Sequence, residues 1–368
     1  MGKDGRTIVY YLSTTSNQLN ECMSEDHVKE RVEQLRILHI PEGGLPMINL
    51  CRALRSKGIT ATACHFYANR YNFESDVCLN LQETPKHLRD DEIRKYLNKA
   101  IKEYDIFHFH FGGTFFPDKS DLEILKRAGK KMVVHHRGSE ARLLSAAKSH
   151  NRFVRVKPEW TEEKIRKNLS HLSKYIDHAI VLDYEIETYI KEYYEKTHVI
   201  PHIIDISKLQ PNYPKEKTKP LIVHAPTKRN LKGTEFILEA VEQLQNDGVL
   251  FDFKLIEGLD HQKTMELLSE ADIVIDQLRI GSAGYLSTEA MALGKPVICY
   301  IREDLVDKYP AGFPVVNANP DTILTVLEDL INNPNRWKDL GVKGRAYVKQ
   351  HHNAAKVVNQ YIDVYKNL

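Results

Sequence analysis

Short apolar runs alternate with stretches of helical apolar spacing along nearly the whole chain, the pattern of an α/β protein built on parallel sheets. Strands are expected at Arg36–Ile40, Ile59–Tyr67, Ile106–Phe111, Met132–His135 and Ala179–Leu182. A second set is expected at Leu221–His224, Asp252–Ile256, Ile273–Ile275, Lys295–Cys299 and Phe313–Val316. Between them, Met47, Leu50, Cys51 and Leu54 make one helical stripe, with Pro46 near its first position and Gly58 beyond its end. Ile165, Leu169, Leu172 and Ile176 make another. Ile237, Ala240, Val241 and Leu244 make a third, for which Thr234 is the expected N-cap. Residues 321–332 and a final stretch with Val357, Val358, Tyr361, Val364 and Tyr365 also read as helical. Pro211–Pro220 has the composition of a linker. Ahead of Arg36 stand a strand-like run, Ile8–Leu12, and a charged helix around His27–Leu35.

One run concentrates the candidate chemistry. Ala271–Ile298 reads as strand, glycine turn, helix, strand, and Gly281 and Gly284 bracket a turn where backbone can approach a ligand closely. The helix from Tyr285 to Leu293 stops at Gly294 and Pro296. Glu289 lies in its middle with Tyr285, Leu286, Ala292 and Leu293 as its helical neighbours, so its carboxylate falls on an apolar face. A helix glutamate is usually solvated. On an inward face it needs a partner or a ligand, because burying a lone charge is very costly. The glycine turn that opens the same helix favours the ligand.

Other polar residues collect beyond the carboxyl ends of strands, where parallel sheets bind ligands. Gly43-Gly44 follows the first strand and leads into a helix, a place for backbone amides to hold an anion or a sugar hydroxyl, or for a plain tight turn. Two further strands end in His108-Phe-His110-Phe-Gly-Gly113 and His135-His136-Arg137-Gly-Ser-Glu140. Sugar or phosphate contact suits these histidines better than metal binding, since acidic and thiol co-ligands are missing. Later, Lys228, Arg229 and Lys232 precede a helix N-terminus, where charge, amides and dipole favour a diphosphate; a solvated basic loop is the alternative. The tract Arg142–Lys174 is basic, with Arg152, Arg155, Lys157, Lys164, Arg166 and Lys167. It reads as a core-facing helix with a solvated basic face, or as a surface that meets anionic lipid.

The run from Ala271 also resembles the signature of glycosyltransferase family four, retaining enzymes of the GT-B type. Their pattern is Ala-Asp, a strand, a Glu-Gly-x-Gly turn, then Glu-Ala-Met-Ala-x-Gly-x-Pro-Val. Ala271-Asp272, Gly284, Glu289-Ala290-Met291-Ala292, Gly294 and Pro296-Val297 match without a gap, while Gly281 stands where the first motif glutamate would be. Gly138-Ser139-Glu140 is similar to the family's His-Gly-Ser-Asp-type segment, with Arg137 in the histidine slot. Val199–Pro211 resembles the segment that hands the chain from the first domain to the second, and Lys232-Gly233 matches a Lys-Gly directed at the nucleotide diphosphate.

The resemblance covers about Arg36 to Leu368 and implies two Rossmann-like parallel-sheet domains facing a central cleft. On that pattern residues 1–35 are an extension packed on the first domain, residues 36–205 form the acceptor-side domain, and residues 206–351 form the donor domain. Residues 352–368 form a helix crossing back to the first. The implied reaction moves a sugar from a nucleotide diphosphate sugar to a sugar, lipid-linked or other acceptor hydroxyl, with retention, in cell-surface polysaccharide, glycolipid or glycoconjugate synthesis. Glu289 would hold the ribose, and Lys232 with Arg229 the diphosphate. Ser282, Ala283, Gly284, Tyr285 and Leu286 would supply donor contacts, with Gly43 and Gly44 beside the donor phosphates. His136 or Arg137 would face the transferred sugar. No metal or other cofactor is expected, and Gly281 would leave room for a substituted donor sugar.

Global properties narrow the setting. A net charge of +2 over 368 residues argues against a nucleic-acid binder driven by overall charge. Five scattered cysteines form no metal-ligand pair and read as reduced thiols. No apolar run approaches bilayer length, and no signal-peptide core follows the N-terminus, so a cytoplasmic protein is expected, with peripheral contact at the inner membrane face as an extension of the lipid reading. The rival readings are a non-catalytic nucleotide-sugar-binding protein, for which the altered motif positions argue, and a GT-B epimerase or phosphorylase.

Overall fold

The computed structural model describes residues 35–68 and 75–368. The strand and helix expected ahead of Arg36 lie, Leu35 apart, outside the described residues. The first domain is built on strands β1 (Arg36–Ile40), β2 (Thr60–His65), β3 (Val77–Cys78), β4 (Ile106–His110), β5 (Lys131–His136), β6 (His178–Val181) and β7 (Lys196–Val199). They pair in the order β3-β2-β1-β4-β5-β6-β7, every pair parallel. The second domain uses β8 (Leu221–His224), β9 (Asp252–Leu255), β10 (Ile273–Ile275), β11 (Val297–Cys299) and β12 (Val316–Asn317), in the parallel order β12-β11-β10-β8-β9.

Central strands of the first sheet are covered on both faces, so alternate residues serve two layers. Leu38, Ile40, Phe107, Phe109 and Val134 belong to one apolar layer. Ile37, Ile106 and Val133 belong to the other, which is closed by the helices Gly44–Arg55 and Ala354–Lys366. The second of these crosses back from the far side of the other domain. Its Val357, Val358, Tyr361, Val364 and Tyr365 are all buried, worth on the order of 10 kcal/mol of apolar burial. The register sets His39 beside His108 and His110 beside His135. With Ile37 and Val133 as their period-two neighbours, these four histidines face the same layer as the returning helix.

Several elements go beyond the sequence expectation. The helices Arg89–Glu103 and Asn335–His351 and the short strands β3 and β7 are additional. Thr234 is not the N-cap expected for its helix. Gly233, at φ +76°, takes that place, and Thr234 is the first helical residue, its Oγ1 at 2.8 Å from Nε2 of the buried His224. The helix Glu162–Leu172 buries Ile165, Leu169 and Leu172 and leaves Lys164, Arg166 and Lys167 exposed. Among the described residues no helix is long and apolar enough to cross a membrane.

The chain crosses between the domains twice, and the two crossings are bonded together. Ile204 N–H donates to His352 O at 2.8 Å, Ala354 N–H donates to Ile204 O at 2.9 Å, and Ile204 and Asn353 form a parallel bridge. The facing surfaces also touch directly. Asn49 Nδ2 donates to Tyr285 Oη at 3.1 Å, and Asn151 Nδ2 donates to Arg279 O at 2.7 Å and Ile280 O at 3.1 Å.

Candidate active site

The second-domain wall of the cleft is organised around the helix Tyr285–Ala292, capped by Gly284. A Cβ at Gly284 would stand 2.6 Å from Asp276 Oδ2 and 3.2 Å from Lys232 Nζ, so a larger residue would displace the groups packed on the turn. Asp276 follows β10 directly and aims its carboxylate at the helix N-terminus. Oδ2 accepts from Gly284 N–H at 3.2 Å and Ser287 Oγ at 2.7 Å, and Oδ1 accepts from Lys232 Nζ at 2.7 Å. Lys232 also donates to Gln277 Oε1 at 2.7 Å. Burial would push the Asp276 carboxyl up, but the Lys232 ammonium overrides this and holds it below the ordinary carboxylate value. An internal carboxylate thus lies where the helix dipole and amides favour an anion.

Glu289 is buried, as its apolar neighbours implied, and Oε1 lies 2.7 Å from His261 Nε2. Burial raises the Glu289 carboxyl above its ordinary value, with His261 pulling partly back. His261 is itself raised, because the pull of Glu289 exceeds the effect of burial.

The other residues singled out from the sequence divide between the cleft and structural duties. Ser282 is buried and its carbonyl accepts from Gln277 Nε2. The Ala283 N–H donates to Tyr309 Oη at 3.1 Å, so this amide and that of Gly284 are both engaged within the protein. Tyr285 and Leu286 begin the helix, and Tyr285 Oη also donates to Ile203 O at 3.4 Å. Arg229 is not beside Lys232's carboxylate. It is half exposed and doubly bonded to Glu257, an ion pair that must open before it meets any diphosphate.

Gly281 corrects a second expectation. Its backbone is left-handed at φ +87°, and a Cβ would stand 2.4 Å from Cγ and 2.8 Å from Cδ of Arg302. The space beside it is filled by that buried arginine, which pairs with Asp304. No room for a sugar substituent exists there.

Strand parity separates His136 from Arg137 on the first-domain wall. His136 is fully buried on the face away from the returning helix, with Nε2 at 2.8 Å from Tyr194 Oη and Nδ1 at 3.7 Å from Glu140. Arg137, just past the end of β5, turns toward the second domain. Its Nη2 lies 3.2 Å from His110 Nδ1, and its charge acts on Tyr285 and on His202. His202 also feels Asp276 and Lys232, so Arg137 and the Lys232–Asp276 pair share one region of the cleft. Gly43 caps the helix Gly44–Arg55, and its Cβ would meet Met47 at 2.4 Å and His110 at 3.1 Å.

Nitrogens of His39, His108 and His110 lie within 4.8 Å of one another. The rings of His108 and His110 are parallel at 8° and 4.4 Å apart, so their in-plane lone pairs do not converge on one ion in this arrangement. Asp276, Gln277 and His261 were not anticipated. An acid immediately after the buried Ile273–Ile275 strand was the available signal for Asp276.

No protein-family model and no curated protein matches this chain. Among solved structures it is similar to HepE from Anabaena in complex with UDP and glucose, at 14% identity and TM-score 0.63, covering 91% of this chain and 100% of that one. It is similar to sucrose-phosphate synthase from Thermosynechococcus elongatus, at 14% identity and TM-score 0.61, covering 91% and 99%. A UDP-N-acetylglucosamine 2-epimerase matches at 12% identity and TM-score 0.55, covering 91% and 97%. The architecture is that of a GT-B protein: two Rossmann-like parallel-sheet domains across a cleft.

Proposed function

We propose that the protein is a glycosyltransferase that moves a sugar from a nucleotide diphosphate sugar to an acceptor hydroxyl with retention at the anomeric carbon. The observation that carries the reading is the helix Tyr285–Ala292, which carries the buried Glu289 and has Lys232 held by Asp276 at its N-terminus, where Tyr285 meets Asn49 of the first domain. Glu289, oriented by His261, holds the ribose hydroxyls. Lys232 turns from Asp276 to the diphosphate as the anomeric carbon–oxygen bond breaks and the leaving group takes the electron pair. The acceptor hydroxyl oxygen then bonds to the anomeric carbon from the same side, and its proton passes to the departing diphosphate. A lysine cation beside a helix N-terminus is suited to that developing charge without a metal. HepE and sucrose-phosphate synthase, whose folds match, support the class of reaction. On the same reading residues 36–205 carry the acceptor, residues 206–351 carry the donor, and the enzyme works in the cytoplasm, on sugar or lipid-linked acceptors.

A second reading, epimerisation of a nucleotide sugar, draws on the matching 2-epimerase fold. Thermal stability with a panel of nucleoside diphosphates and their sugars, in chelator, tests the donor site. One ligand at a hundred times its dissociation constant adds about 2.7 kcal/mol, and Glu289→Ala removes the effect. A shift that survives Glu289→Ala, or none with any nucleotide, refutes the assignment. Nucleoside diphosphate released only when acceptor is present separates transfer from epimerisation and from simple binding.

A further inference from the structure

We propose that the first-domain wall of the cleft binds a hexose carrying a carboxylate or phosphate, with Arg137 as its charge partner and Phe111 as its platform. The inference rests on the transferase reading for the identity of the cleft, and it names the substrate class on the wall opposite Lys232.

The first observation is a missing partner. Among the described residues the buried arginines are Arg142, Arg279 and Arg302, and each has a carboxylate: Glu185, Glu235 and Asp304. Arg137, largely enclosed between the domains, has none. Its Nη2 meets only the imidazole of His110, and its Nε is buried with no hydrogen-bond partner. The Glu140 carboxylate, three residues on, accepts from the backbone N–H of Arg137 and not from its guanidinium. Burial without an ion pair pushes the guanidinium below its ordinary value. A cation enclosed between the domains, with its Nε unpaired and no carboxylate bonded to its guanidinium, is suited to an anion that arrives from outside.

The second observation is Phe111. Its backbone is left-handed at φ +55°, a conformation a bulky residue adopts at a cost of about 1–2 kcal/mol. That strain is not offset by burying the ring, which is 42% exposed. The turn continues left-handed at Gly112, φ +59°, whose carbonyl accepts from Asn168 Nδ2 at 3.4 Å. Arg137 Cζ is 6.0 Å from the ring centroid. An open aromatic face beside an unpaired guanidinium suits a ligand with an apolar ring face and a charged substituent, which is the chemistry of a uronic acid or a sugar phosphate. On the other wall the cation assigned to the diphosphate is Lys232, which must turn from Asp276 to reach it.

The test measures binding by calorimetry in two arms. The donor arm compares UDP, UDP-glucose and UDP-glucuronate, or the same series on whichever base stabilises the protein. The acceptor arm compares methyl glucoside, methyl glucuronide and glucose 6-phosphate, with and without nucleotide. The expected result is at least a tenfold preference for the acidic sugar in one arm, the scale of one charge-assisted hydrogen bond. That preference disappears in Arg137→Gln and is partly kept in Arg137→Lys, while Phe111→Leu weakens acidic and neutral sugars alike. The arm in which the preference appears says whether the acidic sugar is donor or acceptor. Equal binding of neutral and acidic sugars in both arms overturns the proposal. So does a loss of UDP affinity in Arg137→Gln as large as the loss of the acidic sugar, which would make Arg137 a diphosphate ligand. Absence of nucleotide binding refutes the donor site alone, because the acceptor arm also runs without nucleotide.

Discussion

Replacing Lys232 by methionine tests the centre of the site, because it keeps the stem and removes the ammonium from between Asp276 Oδ1 and Gln277 Oε1, each 2.7 Å away. Asp276 is fully buried, and Lys232 keeps only 14% of its side chain exposed. Breaking such a pair from one side leaves a buried charge and costs about 3 kcal/mol, the low end for buried pairs. On a unit of roughly 150 residues that is a fall in Tm of roughly 6–12 °C. The pH dependence carries a signature. In the wild type the Asp276 carboxyl is held below its ordinary value, so its contribution is present above the unfolded value and is lost as pH falls through the folded one. Without the ammonium, burial dominates and the carboxyl rises. The stability gap between variant and wild type therefore widens toward neutral pH and closes as pH falls through the wild-type carboxyl's folded value. Turnover should drop roughly a hundredfold or more, the scale for one donor aimed at developing charge. The double variant with Asp276→Asn should recover most of the stability and none of the turnover. A double variant with wild-type turnover would show that Lys232 only holds Asp276, and an unchanged acid limb in the single variant would refute the ion-pair account.

Three further outcomes follow from the packing. Gly281→Glu, which restores the acidic residue of the resembling signature, should lower Tm with no gain in turnover, since the left-handed backbone and Arg302 together cost about 2–4 kcal/mol; a more active variant would overturn the packing argument. Gly341→Ala sets a Cβ 2.0 Å from Gly294 O and should destabilise by at least about 2 kcal/mol in urea unfolding. Asp183, partly buried and facing Ser282, has its carboxyl pushed up to about 6 by burial and then by Glu185. Its folded form binds the proton more tightly than the unfolded chain, so stability falls as pH rises from about 4 to 6. Asp183→Asn should therefore gain about 2 kcal/mol on the wild type between pH 4 and pH 7, read from parallel denaturation curves.

How much of this was readable in the residues depended on which physical signal each element carries. Apart from β3 and β7, the strands of both sheets coincide with short apolar runs, and that signal survives in a single sequence. The helix Asn335–His351 does not show as a stripe because its buried face is Trp337, Gly341, Gly344, Tyr347 and Val348. Two of those positions are glycines chosen for contact with Gly294 and Met291. A packing face made of missing side chains has no apolar period. The inward placement of Glu289 followed from spacing alone, whereas its partner His261 comes from another helix and gave no local sign. Strand parity sets His136 and Arg137 on different sides of the sheet. Val133 and His135 share one face, so His136 must take the other and Arg137 is the first residue free to turn into the cleft. The Arg302 side chain over Gly281 is a tertiary contact between distant positions, and no local pattern encodes it.

The returning helix Ala354–Lys366 has a bearing on how the protein is made. Part of one of the first domain's two apolar layers is supplied by residues that follow the second domain in the chain. A ribosome therefore delivers β1 to β7 with that layer covered by the helix Gly44–Arg55 alone, and adds the intervening residues, about 150, over roughly 8–30 s before the second cover arrives. The first domain cannot be completed on its own during synthesis. A chain stopped anywhere before Ala354 keeps part of that layer open to chaperones and proteases, and only a chain read through to the returning helix hides it.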